Sequence, residues 1–317
     1  MKTKKISKSF IMDMILIILL LTILVLPKTS MEAAKNGLLL WFNVIIPTLF
    51  PFILLSNLII NTNIINYINY IFTGLMTRLF NLPGVAGYAL ITGLLSGYPV
   101  GAKITADLLN KKAINSTQAQ YMLTFCNNAS PMFIIGFIAT GLLDNSRIGI
   151  FMLITIYAAN LITAFIYRVI YGKNLPAVKK STVKSKVNKS MNFSLFDDCI
   201  MNAITLIVKI GGYIIFFSII LNCFYLIPMK DNIIKNFLFS LIELSNGAKI
   251  LVNCNSSIQV TFVLLCTLVS FGSFSVHAQT ASVLTDTKLN INKYILSKII
   301  NAVITFITAL LITPLII

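Results

Sequence analysis

Apolar runs long enough to cross a bilayer as helices, about 20 residues each, recur along this chain at residues 37–60, 147–171, 206–227 and 294–317, among others. The hydrocarbon core offers no water to a bare N–H or C=O. A crossing segment therefore bonds its own backbone groups, as a helix does. Composition agrees: 57% of residues are hydrophobic and 11% charged, with mean hydropathy +0.89, against roughly a quarter charged in a soluble protein. The chain reads as an all-α, polytopic membrane helix bundle.

The net charge of +16 raises nucleic acid as a partner. The lysines, however, collect in short segments between apolar runs, as the positive-inside rule requires of membrane loops. Lipid is thus the expected partner, and nucleic acid is not. Residues 172–190 carry Lys173, Lys179, Lys180, Lys184, Lys186 and Lys189 without an acid. They read as a cytoplasmic linker that orients the spans and can dock on anionic lipid. Four lysines in residues 1–10 precede an apolar stretch at 11–26. With no small-residue cleavage site after it, the stretch reads as an uncleaved first span that starts in the cytoplasm. Five cysteines without a Cys-x-x-Cys pair, and a single histidine, His277, indicate neither a disulfide framework nor a metal cluster. No cofactor is called for.

The apolar run at 85–109 contains Gly-Leu-Leu-Ser-Gly-Tyr-Pro-Val-Gly-Ala-Lys at 93–103. Pro99 cannot donate to the Leu95 carbonyl, and Gly97 and Gly101 weaken the helix on either side. At membrane depth such a break is tolerated only where it is buried in protein or lines a cavity, so residues 96–103 are a candidate site. The glycines at 93, 97 and 101 also fit a small-residue ridge for close helix packing, and the two readings are compatible. Arms of about 12 residues are too short to cross, which favours a re-entrant hairpin over two packed spans. Residues 126–131, Cys-Asn-Asn-Ala-Ser-Pro, place a second break inside the run at 117–143, where Pro131 frees the Asn127 carbonyl. A third break falls at Gly272 in the run at 257–284.

The basic linker divides the chain. Residues 1–36 read as a first helix and loop, 37–171 as one repeat, 172–194 as the linker and 195–317 as a second repeat. Counting from an inside start, 37–60 runs outside to inside and 206–227 the other way, so the repeats are inverted. The hairpins expected at 85–109 and 257–284 then enter from opposite faces, and their tips are able to meet near the midplane, as in many secondary transporters. In this register Tyr98 pairs with Phe274 and Val100 with Val276. The counterpart of the asparagine motif falls near 302–305, where no such motif stands. Residues 65–80 and 232–252 are mixed in character and suit the membrane surface.

Residues 96–103, Ser-Gly-Tyr-Pro-Val-Gly-Ala-Lys, followed by Phe-Cys-Asn-Asn-Ala-Ser-Pro at 125–131, resemble the YlbJ-type sporulation integral membrane proteins. These belong with the nucleoside recognition (Gate) domain proteins, which are similar to parts of concentrative nucleoside and ferrous iron transporters. The resemblance covers about residue 37 to the end. It implies a protein of the mother-cell membranes of an endospore former, acting when the spore cortex is made, with other spore-envelope proteins or further copies of itself as partners.

The candidate substrate-binding residues are Ser96, Tyr98, Lys103, Asn127, Asn128 and Ser130 from the first half with Ser273, Ser275 and Gln279 from the second. Their amides and hydroxyls suit a polar, uncharged solute such as a nucleoside or sugar, since each gives directional hydrogen bonds without a counter-ion. The alternative is hydrogen bonding between helices. Lys103, four residues past Pro99, either lies inside the bilayer facing an anionic group or a carboxylate such as Glu243 or Asp107, or reaches to the surface. Glu243 and His277 are candidates for ion or proton coupling. Enzyme motifs fail: residues 97–103 lack the spacing and the Ser or Thr of a P-loop, and Ser273, Ser275 and His277 have no oriented acid to complete a triad. The expectation is a transporter-like protein that binds or moves a small polar solute. A membrane scaffold for spore-envelope assembly is the competing class.

Overall fold

The computed structural model describes residues 8–172, 175, 192–225, 230 and 232–316. The lysine-bearing residues 1–7 and most of the basic linker, 176–191, lie outside the described residues. Every regular element among those described is helical. Five stretches are long and apolar enough to cross a membrane: Pro27–Asn61, Ser146–Gly172, Phe193–Tyr225, Ile258–Val283 and Ile291–Leu315. The chain is a polytopic membrane helix bundle, as its composition predicts.

After α1 (Lys8–Val25), helix α2 (Pro27–Leu40) passes through a π-helical segment, Trp41–Ile45, into α3 (Ile46–Asn61). The loop expected at 27–36 is thus helix. Pro27 sits in the first turn, where a missing N–H costs nothing, and Glu32-Ala-Ala-Lys35 are good helix formers. Pro47 accounts for the π segment: it cannot donate to the Asn43 carbonyl, and widening the turn relieves the clash of its ring. At 35 residues the helix is about 50 Å long, well beyond the ~30 Å hydrocarbon core.

Helix α9 (Phe193–Tyr225) runs antiparallel along this helix. Asn57 Nδ2 donates to the Cys199 carbonyl (3.2 Å), Trp41 Nε1 to the Ile207 carbonyl (2.8 Å) and Asn222 Nδ2 to the Thr29 carbonyl (3.2 Å). The Trp41 ring lies so close to Gly211 that a Cβ there would collide with it. Helices α8 (Ser146–Gly172) and α14 (Ile291–Ile312) form a second pair, bridged by Thr163 Oγ1 to Asn301 Oδ1 (2.9 Å). Each pair joins one half of the chain to the other. The halves interlock.

Helix α4 (Ile64–Phe80) buries Ile65, Met76 and Phe80 and turns Tyr67, Tyr70 and Ile71 outward. Helices α5 (Ala86–Ser96) and α6 (Val100–Asn110) fold back on each other across Gly97–Pro99. Their second-half counterpart is not at 257–284, as the register predicts, but at α10 (Ile233–Ser240) and α11 (Leu244–Val252). These two pack as a hairpin, whereas α12 (Ile258–Phe271) and α13 (Ser273–Val283) barely touch each other. The physical reason is length: α10 and α11 are 8 and 9 residues, too short to cross, while 258–283 amounts to one broken span. Its counterpart in the first half is the broken helix made of α7 (Ser116–Leu123), the unwound residues 126–130 and the π segment Met132–Thr140. The pairing of Tyr98 with Phe274 is therefore replaced: by element order, the break at 126–131 answers to the one at 272–273.

The two hairpins enter from opposite ends of the bundle. The open end of α5–α6 meets the C-terminus of α3, where Lys111 Nζ donates to the Ile60 carbonyl and to Asn61 Oδ1 (both 2.7 Å). The open end of α10–α11 instead borders the start of α2: Asn232, Asn253 and Cys254 share one cleft of about 720 Å³ with Thr29, Glu32 and Asn36.

Candidate functional site

The hairpin tips and helix breaks converge. Gly97 (φ +88°) lies against Ser130 at the first break, while Phe274 N and Ser275 N at the second break donate to the carbonyls of Leu241 and Ile242 in the other tip (2.7 and 3.1 Å). Tyr98 crosses between halves: its hydroxyl donates to the Val269 carbonyl (3.2 Å), and its ring lies over Gly272 (φ +94°). Gly272 and Ser273 (φ +68°) both take left-handed conformations, which turns the chain between α12 and α13. Between the tips lies a cavity of about 60 Å³. Ser96, Gly97 and Tyr98 line it from one tip, Glu243 and Ser245 from the other, Ser130 from the first break, and Val276 and Gln279 from the second. Ile45, Thr48 and Ile210 of the long helices close its side.

Glu243 is the buried carboxylate of this cavity, 1% exposed. It caps α11: Oε1 accepts from Ser245 N (3.2 Å), and Oε2 from Asn246 N (2.8 Å) and Asn246 Nδ2 (2.9 Å). Acceptance from a helix N-terminus stabilises a carboxylate that desolvation would otherwise penalise. Asn246 also lines the wide polar cleft, so one side chain links the cleft to the inner carboxylate. Ser96 Oγ is buried and has no partner among the described residues, and Ser130 Oγ accepts from Phe133 N (3.2 Å).

Asn127 and Asn128 belong to a second cluster, behind Tyr98. Asn127 Oδ1 accepts from Ala102 N (3.3 Å), and its Nδ2 donates to Tyr294 Oη (2.9 Å) and Thr280 Oγ1 (3.1 Å). Asn128 Nδ2 donates to the Phe125 carbonyl (2.7 Å). At the centre stands Lys298 of α14, fully buried, whose Nζ donates to the Asn127 carbonyl and to Asn128 Oδ1 (3.1 Å). Tyr98 touches both clusters, since its ring also faces the Lys298 ammonium.

The other predicted site residues are dispersed. Lys103 forms an ion pair with Asp107 one turn on (2.6 Å), at 21% side-chain exposure, and lines neither cluster. His277 is buried edge-on to Phe271 and Tyr294, with both ring nitrogens unpartnered among the described residues. Ser273 and Ser275 are buried and bond locally, to Val276 N and Gln279 Nε2. Gly101 packs against the Cys126 carbonyl, and Pro131 opens the π segment.

The chain is 26% identical to the "Sporulation integral membrane protein YlbJ" of Bacillus subtilis (strain 168), over 317 aligned positions that cover 89% of this chain and 77% of the relative. That likeness supports the YlbJ-type family. No family model matches the chain, nor does any solved structure.

The residues of the second cluster that the helix breaks do not point to in the sequence are Lys298, Tyr294 and Thr280. A signal for them exists. Tyr294, Lys298, Asn301 and Thr305 are spaced by three or four in an otherwise apolar span, which lays one polar stripe along the helix, and the structure buries that face.

Proposed function

We propose that this protein is an integral membrane component of spore formation that binds, and on conformational change passes, a small polar solute at the cavity between its two hairpin tips. The observation that carries the reading is the convergence there of two hairpins from opposite ends of the bundle with two broken helices. Irregular backbone at membrane depth is the device by which secondary transporters build midplane sites, and a passive scaffold has no need of it. The sporulation context comes from the relative's name. Kinship with Gate-domain and nucleoside transporters, and a role in making the cortex from a mother-cell membrane, extend that reading.

At about 60 Å³ the cavity has room for about two waters, at ~30 Å³ each. A nucleoside or sugar enters only when a tip withdraws, which gives the hairpins their role as gates. Ser96, Gln279 and Glu243 then supply the donors and acceptors that read the solute. The test replaces Ser96 with Val and Gln279 with Leu together in the sporulating host. With normal protein level in the membrane, heat-resistant spores are expected to fall sharply, and labelled uridine, adenosine and N-acetylglucosamine are then assayed for uptake into membrane vesicles. Normal spore yield from the double variant would remove the cavity as a working site and favour a scaffold for spore-envelope assembly.

A further inference from the structure

Lys298 lies in the last membrane span, fully buried, and among the described residues no carboxylate pairs with it. The groups around its Nζ are neutral. The main-chain carbonyl of Asn127 and the amide oxygen of Asn128 accept from Nζ, and the rings of Tyr98 and Tyr294 present their faces with centroids at 5.3 and 5.8 Å. Carbonyl oxygens and aromatic faces are what a desolvated monovalent cation takes in place of its hydration shell. The oxygens come from the unwound segment that follows α7, where carbonyls released from helical bonding favour positive charge. In transporters with broken helices, such carbonyls hold the coupling ion.

We infer that the Lys298 ammonium is a tethered cation for the first helix break, holding residues 126–130 unwound in the place of a free alkali ion. A cation on a side chain is present at high effective concentration whatever the salt outside. The break is then indifferent to sodium and potassium, and any cycle of this protein draws on no sodium at this position. The inference concerns how the break is held, so it stands or falls separately from whether a solute is carried.

The test is thermal unfolding of the purified full-length protein in nanodiscs, in sodium, potassium or choline chloride at equal concentration. The wild type is expected to melt at one temperature in all three. Lys298→Ala, which empties the space, is expected to melt lower in choline and to recover in sodium or methylammonium chloride. Lys298→Met fills the space without charge, and is expected to melt lower and to respond to neither cation. Sodium stabilisation of the wild type, a methionine variant as stable as the wild type, or an alanine variant that neither cation restores would each overturn the inference. If the alanine variant does not accumulate, the wild-type and methionine measurements decide.

Discussion

Asn127 draws three elements to the first break: the start of α6 through Ala102 N, α13 through Thr280 and α14 through Tyr294. Asn128 has one partner within its own segment and one outside it, Lys298. Hydrogen bonds between membrane helices average about 0.6 kcal/mol, and each buried group left without a partner adds roughly 1 kcal/mol. Asn127→Ala is therefore expected to destabilise by about 3 kcal/mol and Asn128→Ala, which costs Lys298 one of its two oxygen acceptors, by about 2 kcal/mol, measured by unfolding in mixed detergent. Equal losses would show that the first break is not tied as described. Both asparagines are legible in the sequence because Pro131 marks their segment as a break. Lys298 has no such neighbour, and its partners lie about 170 positions away, a distance that no local pattern reports. What the sequence does carry is the spacing of Tyr294, Lys298, Asn301 and Thr305. That spacing marks a face without saying what it meets.

The α5–α6 hairpin closes around one carbonyl. Gly93 and Gly101 face each other across it, and a Cβ on either would collide with the Cys126 carbonyl oxygen. The glycine ridge and the helix break are thus both present, with different glycines: 93 and 101 make the notch, and 97 makes the turn. Gly93→Ala and Gly101→Ala are expected to abolish accumulation in the membrane. Gly74→Ala, on the exposed face of α4 with nothing within 4 Å of the new methyl, is expected to accumulate as the wild type does. Immunoblots of membrane fractions decide, and normal levels of both notch variants would mean that the hairpin arms are free to separate. This hairpin is readable because proline and glycine announce its tip. The α10–α11 hairpin has no such mark. Its turn is set by Glu243 capping α11, and a short amphipathic stretch with a carboxylate looks the same in sequence whether it lies on the surface or folds inward.

The long antiparallel pair of α2–α3 with α9 fixes two ends for the whole bundle. At one end stand Lys111, beside Asn61, and Arg168, bonded to the Leu79 carbonyl, with Gln120 and Asn290 joined near Lys288 and Lys293. At the other lies the cleft lined by Asn36, Asn222, Asn232, Asn253 and Cys254, rich in amides. Alternating the crossings from α1 onward assigns the same residues to the same two sides, a check on the topology that sequence counting alone does not supply. The positive-inside rule then predicts that the Lys111 end faces the cytoplasm and the cleft faces away from it. Cys254 is half-buried in that cleft, while Cys126 and Cys266 are fully buried. In a variant keeping Cys254 as its single cysteine, a membrane-impermeant maleimide is expected to label intact protoplasts. A cysteine-free variant carrying Lys112→Cys is expected to label only after permeabilisation. The reverse pattern would invert the orientation while leaving the bundle intact. Labelling of both from one side would instead remove the opposed entry of the two hairpins, and with it the geometric ground for a gated site between them.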